Sequence, residues 1–124
     1  MKSILVVDDE EVMLEVLWRT LTRLGYKIAL SDSWKSALDL FSREKFDLVL
    51  MDVLMPQMNG YMIASRMRQL KPNQRIVMVT GLGADAAMAY NYSTRVNVNG
   101  LLLKPFTFEK LKSVITNALS RNQY

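Results

Sequence analysis

The stretch Asp47-Leu48-Val49-Leu50-Met51-Asp52-Val53-Leu54-Met55-Pro56-Gln57-Met58-Asn59-Gly60 decides how the chain is read. An apolar run climbs from Leu48 to Met51, meets a single carboxylate at Asp52, and then breaks into a segment punctuated by Pro56 and Gly60. A short continuous apolar run of this kind is expected of a strand buried on both faces. Asp52 then stands at the C-terminal end of that strand. In open α/β sheets ligands bind in the crevice beyond those ends, which makes Asp52 the first candidate for chemistry.

Outward from this stretch the pattern repeats. Ile4 to Val7 read as a first buried strand, followed by a helix with Met13, Val16, Leu17, Thr20, Leu21 and Leu24 recurring at three and four, closed by Gly25. Lys27 to Leu30 read as a second strand, and Ser31, Asp32 and Ser33 offer caps for a helix with Trp34, Ala37, Leu38 and Phe41 on one face. After the third strand, a helix opening near Asn59 and Gly60 carries Ile63, Met67 and Leu70, and Lys71-Pro72 close it. Arg75 to Thr80 give a fourth strand, and Gly81 and Gly83 lead into an Ala-rich fourth helix that ends between Tyr90 and Asn99. Leu101 to Leu103 are a fifth strand, and Thr107 caps a last helix bearing Leu111, Val114, Ile115 and Ala118. Alternating strands and helices with short connections imply an α/β fold with a parallel sheet covered on both faces. Alternation alone leaves the strand order open.

The 124 residues form one domain, 1–124, and 50% hydrophobic content supports a core without metal or disulfide. The chain has no cysteine and no histidine. A disulfide scaffold, a thiolate metal site, a Cys nucleophile and imidazole catalysis are therefore excluded, and any chemistry must use carboxylate, lysine, hydroxyl or a bound cation. The first apolar run is halted by Asp8 and Asp9, too early for a signal peptide, and no run reaches membrane-spanning length. A cytoplasmic protein without membrane contact is expected. The net charge of +4 is spread over scattered basic residues, of which only Arg66, Arg68, Lys71 and Arg75 lie close together. They read as a solvated helix end, with no direct nucleic-acid contact expected.

Four of the five strand ends supply polar groups on one rim: Asp8 and Asp9 after the first, Asp52 on the third, Thr80 on the fourth, Lys104 after the fifth. Taken singly, the acids favour a helix N-terminus, Thr80 caps a turn and Lys104 extends along apolar surface. Together they suggest a site. Three carboxylates brought close repel one another unless a cation intervenes, and an all-oxygen set selects a hard ion such as Mg2+. Magnesium takes one or two carboxylates and phosphate oxygens, which suits a phosphoryl group held against Asp52 as nucleophile. Lys104 would offset charge on that group, and the Thr80 hydroxyl would donate to one of its oxygens.

From Ile4 to Leu119 the chain resembles the response-regulator receiver domains of bacterial two-component signalling. Val7-Asp8-Asp9 is similar to the family's acidic pair, Asp52-x-x-Met55-Pro56-x-x-x-Gly60 to its phosphoacceptor loop, Thr80 to its switch hydroxyl, and Lys104-Pro105-Phe106 to its lysine and following proline. The resemblance implies a flavodoxin-like, doubly wound five-stranded parallel sheet of order 2-1-3-4-5 with five helices. It implies Mg2+ bound by Asp9, Asp52 and the Leu54 carbonyl with Asp8 nearby through water, phosphorylation of Asp52, and a cis Lys104-Pro105 peptide. It also implies a sensor histidine kinase as phosphodonor. An output domain or target protein would be reached through the fourth helix, fifth strand and fifth helix, with a monomer or a phosphorylation-dependent dimer as the assembly. The chain departs from the family at Leu101, where receivers usually carry Tyr or Phe, and at Thr94 to Gly100, where Ala-Gly-Ala is usual. Leu101 or Tyr90 is then the candidate moving group when phosphorylation remodels the fourth helix and fifth strand.

A dinucleotide-binding domain shares the alternation, but no glycine lies between Met1 and Leu24, where a phosphate turn would be needed. A Mg2+-dependent phosphatase with an aspartyl nucleophile resembles a pattern with a second Asp two residues on, where this chain has Leu54. A structural relative that is never phosphorylated is the third alternative. Both a free-standing relay and the input part of a longer regulator fit the receiver reading, and no second domain is expected after Ser120.

Overall fold

A computed structural model describes residues 1–55, 57, 59–81 and 97–120. It contains strands β1 (Ser3–Val7), β2 (Lys27–Ser31), β3 (Leu48–Asp52), β4 (Ile76–Thr80) and β5 (Gly100–Leu103). Between and after them lie helices α1 (Glu11–Arg23), α2 (Trp34–Arg43), α3 (Gly60–Leu70) and α4 (Phe108–Ser120). The strands form one parallel sheet of order β2-β1-β3-β4-β5. This is the doubly wound, flavodoxin-like arrangement that the resemblance implied. Four helices fall among the described residues; the Ala-rich fourth helix expected after Gly81 and Gly83, with Tyr90, falls on residues 82–96, outside them.

β3 and β4 are buried along their whole length, which explains why their apolar runs show no alternation. Successive side chains nevertheless serve opposite layers. Leu5, Val7, Val49, Met51, Ile76 and Met78 pack against Phe41 of α2 and Tyr61, Ile63 and Met67 of α3. Ile4, Val6, Leu48, Leu50, Val77, Val79 and Leu102 pack against Leu14, Leu17 and Leu21 of α1 and Leu111 and Ile115 of α4. Each such side chain, fully buried, contributes roughly 1.5–3 kcal/mol. The first layer holds four buried methionines, Met51, Met55, Met67 and Met78; the buried residues of the second are aliphatic throughout.

Helix boundaries follow local chemistry. Ser33 Oγ accepts the Ser36 N–H, Asn59 Oδ1 accepts the Met62 N–H, and Thr107 Oγ1 accepts the Lys110 N–H. Gly25 leaves α1 at φ 95°, the left-handed conformation that glycine takes most easily. The helix faces differ from the sequence reading in detail. The stripe of α1 that enters the core is Leu14, Leu17 and Leu21, leaving Val16 half-exposed, and Leu70 is exposed on the last turn of α3. A helix lying on a twisted sheet buries a narrower face than three-and-four spacing suggests when apolar residues border it on both sides.

The basic residues near the end of α3 are not a solvated group, as their spacing had suggested. Arg66 is exposed, but Lys71 Nζ donates to the Phe41 and Glu44 carbonyls at 2.6 and 2.9 Å, closing the end of α2. Arg75 donates to the Leu119 carbonyl, and Arg68 donates to Gln74, Asn97 and Asn99. Among the described residues, no helix is long and apolar enough to cross a membrane.

The approach of α3 to β3 depends on Gly60. Its N–H donates to the Val53 carbonyl at 2.8 Å, and a Cβ there would strike the Asp52 carbonyl and lie 3.0 Å from Met51 Cγ. Gly60→Ala should therefore lower the urea unfolding free energy by roughly 2–4 kcal/mol, because backbone has to give way. Gly25→Ala, with no atom within 4 Å of the new methyl, should cost only about 1 kcal/mol of backbone strain. Equal losses for the two would remove the contact argument.

Candidate functional site

Register alone brings the polar strand ends together. Val7 pairs with Met51 across β1 and β3, so Asp8, Asp9 and Asp52 emerge side by side. On the other flank Asp52 is opposite Val79, and Thr80 is opposite Leu103, one residue before Lys104. One carboxylate oxygen from each of Asp8, Asp9 and Asp52 lies within 4.8 Å of the others. Asp8 and Asp52 are buried and Asp9 is exposed.

Asp8 is held from two sides. Its Oδ1 accepts the Glu10 N–H at 2.9 Å, and its own N–H donates to the Ser31 carbonyl at 3.1 Å. Lys104 Nζ donates to Asp8 Oδ2 at 3.3 Å and stands 3.6 Å from Asp52 Oδ1. The lysine is aimed by its backbone: its N–H donates to the Thr80 carbonyl at 2.7 Å, and the Lys104-Pro105 peptide is cis. Thr80 is buried, and its hydroxyl is 3.5 Å from the Gly81 carbonyl, at the outer limit of a hydrogen bond. That geometry leaves it ready to serve a better acceptor.

The loop after β3 contributes through its backbone. The Leu54 backbone lies by the Asp52 carboxylate and favours its charged form, while its side chain is half-exposed. Gln57 takes φ 69°, and Pro56 and Met58 lie outside the described residues. All six residues expected at the site, Asp8, Asp9, Asp52, Leu54, Thr80 and Lys104, stand at or beside this rim. The Glu10 N–H was not anticipated, although an Asp side chain commonly accepts the backbone N–H two residues on, and Asp8 carried that signal. The left-handed Gln57 has no comparable sequence signal.

Burial pushes the Asp52 carboxyl up from 3.8 to about 7, and the neighbouring Asp8 charge adds to it. Lys104 opposes this, Asp9 reinforces it, and the Leu54 backbone opposes it again. Burial disfavours the Lys104 ammonium, but Asp52 and Asp8 outweigh that effect and raise its pKa above the ordinary lysine range. One lysine thus faces an excess of negative charge. The donor set is all oxygen, close-set, and electrostatically short of one cation, which fits a hard divalent metal.

The family model for the response regulator receiver domain matches residues 4–116. Among curated proteins, the response regulator receiver protein CpdR of Brucella abortus is 32% identical over 120 residues, covering 96% of this chain and 98% of that one. The autoinducer 1 sensor kinase/phosphatase LuxN of Vibrio campbellii is also 32% identical across 97% of this chain, which spans only 14% of LuxN. Among solved structures, the response regulator TrrA of Thermotoga maritima, in complex with Mg2+-BeF, superposes with a TM-score of 0.86 at 32% identity. That superposition covers 96% of this chain and 100% of TrrA. With its fold, its acidic rim and a family match across most of its length, the chain belongs to the response regulator receiver domains, the phosphoacceptor signalling domains of two-component systems.

Proposed function

We propose that Asp52 is the phosphoacceptor and that Asp8, Asp9 and Asp52, with the Leu54 carbonyl, hold Mg2+. The observation that carries this reading is the convergence of three carboxylates and one lysine at the C-terminal edge of the sheet. A bound Mg2+ would supply positive charge to phosphoryl oxygens and to the acidic cluster. The chain's own residues do the rest. An Asp52 carboxylate oxygen attacks phosphorus, and the bond from phosphorus to the donor nitrogen breaks with its electron pair leaving on that nitrogen, which takes up a proton. In this reading the donor is a phosphohistidine of a sensor histidine kinase, which membership of the receiver family supports; the 124 residues of this chain contain no histidine that could serve instead. Lys104 Nζ offsets charge on the transferred group, and the Thr80 hydroxyl donates to one of its oxygens.

The domain assists its own phosphorylation and dephosphorylation and turns over no separate substrate. A phosphatase would need a proton donor for its leaving group, and the position two residues past Asp52 carries the half-exposed leucine Leu54. The phosphorylated state is passed from the cytoplasmic domain to an output domain or partner through β5, α4 and the segment before β5. Leu101, opposite Met78 and packed against the methionine-bearing layer, is the group placed to shift when Thr80 turns to the phosphoryl group. Phosphorylation should therefore change amide spectra at Leu101; changes limited to the Asp52 loop would count against it.

Incubation with Mg2+ and a small phosphodonor, followed by intact mass measurement, should add one phosphoryl group to the parent chain and none to Asp52→Asn. Lys104→Gln and Thr80→Ala should each slow the addition, by roughly ten- to a hundredfold. An unmodified parent chain overturns the reading.

The charge state of Asp52 also sets a stability trend in the metal-free protein. Its carboxyl titrates at about 7 when folded against an ordinary 3.8, so between those values the folded chain binds more protons. The stabilising contribution is complete below about pH 4 and is lost as pH rises through about 7. In the presence of a chelator at pH 8, Asp52→Asn should raise the unfolding free energy by roughly 1–3 kcal/mol. The gain should shrink at pH 5 and in excess Mg2+. Denaturation series at both pH values check this, and a gain independent of pH would exclude the Asp52 charge as its source.

A further inference from the structure

β5 delivers Lys104 to the site, yet little in its own sequence fixes where it sits. It is a four-residue strand at the edge of the sheet, paired among the described residues with β4 alone. Its body is Leu101-Leu102-Leu103, and because all three side chains are the same, the apolar pattern does not distinguish the observed register from one displaced by a residue. Gly100 discriminates weakly: a Cβ there would meet Val77 and Val114 side-chain atoms at 3.4 Å, ordinary contact. A displacement of one residue moves the strand by about 3.3 Å. That shift would separate Lys104 Nζ from both Asp8 Oδ2 and Asp52 Oδ1, which it now meets at 3.3 and 3.6 Å.

What fixes the start of β5 is a cluster around Asn99. Its N–H donates to the Ile76 carbonyl at 2.7 Å, and its side-chain Oδ1 accepts the Ile76 N–H at 2.8 Å, so one residue satisfies both backbone groups at the start of β4. Arg68, on the last turn of α3, holds that arrangement. Its Nη2 donates to the same Asn99 Oδ1 at 2.8 Å, its Nη1 to the Asn97 carbonyl at 3.2 Å, and its Nε to the Gln74 carbonyl at 2.7 Å. Gln74 precedes β4 and Asn97 precedes β5, so one planar guanidinium ties the starts of both strands to α3. Asn97 takes φ 58°, the left-handed turn that presents its carbonyl to the arginine.

We propose that Arg68 is a positioning residue for phosphoryl transfer, locking the register of β5 through Asn99 so that Lys104 reaches Asp8 and Asp52. The inference rests on the proposed role of Lys104 at the phosphoacceptor site. Arg68 is at the opposite edge of the sheet from Asp52 and touches no reacting atom; it acts only through the strand it fixes.

Hydrogen exchange tests the lock without any phosphoryl group. Arg68→Ala should speed exchange at the Leu102 and Lys104 amides, which face β4, by roughly tenfold or more relative to β1 and β3; unchanged exchange at these amides overturns the proposal. Phosphorylation rates with Mg2+ and a small phosphodonor test the route. Arg68→Ala should slow the parent chain roughly tenfold, yet slow Lys104→Ala by less than about twofold, because the lysine it positions is already gone. The same factor in both backgrounds reports general damage and overturns the positioning role. Where Arg68→Ala does not fold, Arg68→Lys takes its place, retaining charge without the planar fork, and the same unequal factors are expected. A parent chain that accepts no phosphoryl group would instead count against the proposed function and leave the exchange result to decide the lock.

Discussion

A buried carboxylate with too little positive charge around it governs this molecule. Asp52 ends the central strand, is largely shielded from water, and shares its surroundings with Asp8 and Asp9 against, among the described residues, one nearby ammonium, Lys104. Burying an ionised acid is costly unless it is paired, and pairing here is incomplete. Such an arrangement persists because the two-layer core holds the strands from which the acids project. The same incompleteness is what makes the all-oxygen rim a fit for a hard cation. The site is therefore a region where the fold holds charge that it does not neutralise with its own residues.

Much of this was legible in the sequence because parallel sheets write their strands as unbroken apolar runs. Leu48 to Met51 and Ile76 to Val79 announced buried strands, and a polar residue closing each run marked the rim. Strand order was different in kind. It came from the likeness to receiver domains, since alternation of strands and helices is compatible with several orders. Helix faces were read less well, because Val16 and Leu70 satisfy the spacing of a buried stripe without being buried. Arg68 was the clearest misreading. Four basic residues near a helix end look like a solvated surface, but the acceptors of Arg68 lie on Gln74, Asn97 and Asn99, and the latter two are far away in sequence. No local pattern encodes such a contact.

The two edges of the sheet do different work. At one edge the strands end in acids, a hydroxyl and an amine. At the other, Arg68, Lys71, Gln74 and Asp47 spend their polar groups mainly on backbone atoms: Arg68 on the Gln74 and Asn97 carbonyls, Lys71 on those of Phe41 and Glu44, Gln74 on those of Phe46 and Arg75, and Asp47 on the Ser3 N–H. Polar side chains that satisfy backbone groups add order without adding reactivity. Fixing one edge allows charge to be left unbalanced at the other.

The unequal composition of the two layers gives the domain a direction of compliance. The layer beneath α2 and α3 contains Met51, Met55, Met67 and Met78, and it anchors the loop after Asp52 through Val53 and Met55. Unbranched thioether side chains change rotamer and refill space more readily than the branched aliphatic residues of the opposite layer. The α3 side is therefore the one whose side chains can most readily repack around a disturbance at the end of β3, as a beam with one soft flange bends in a single sense.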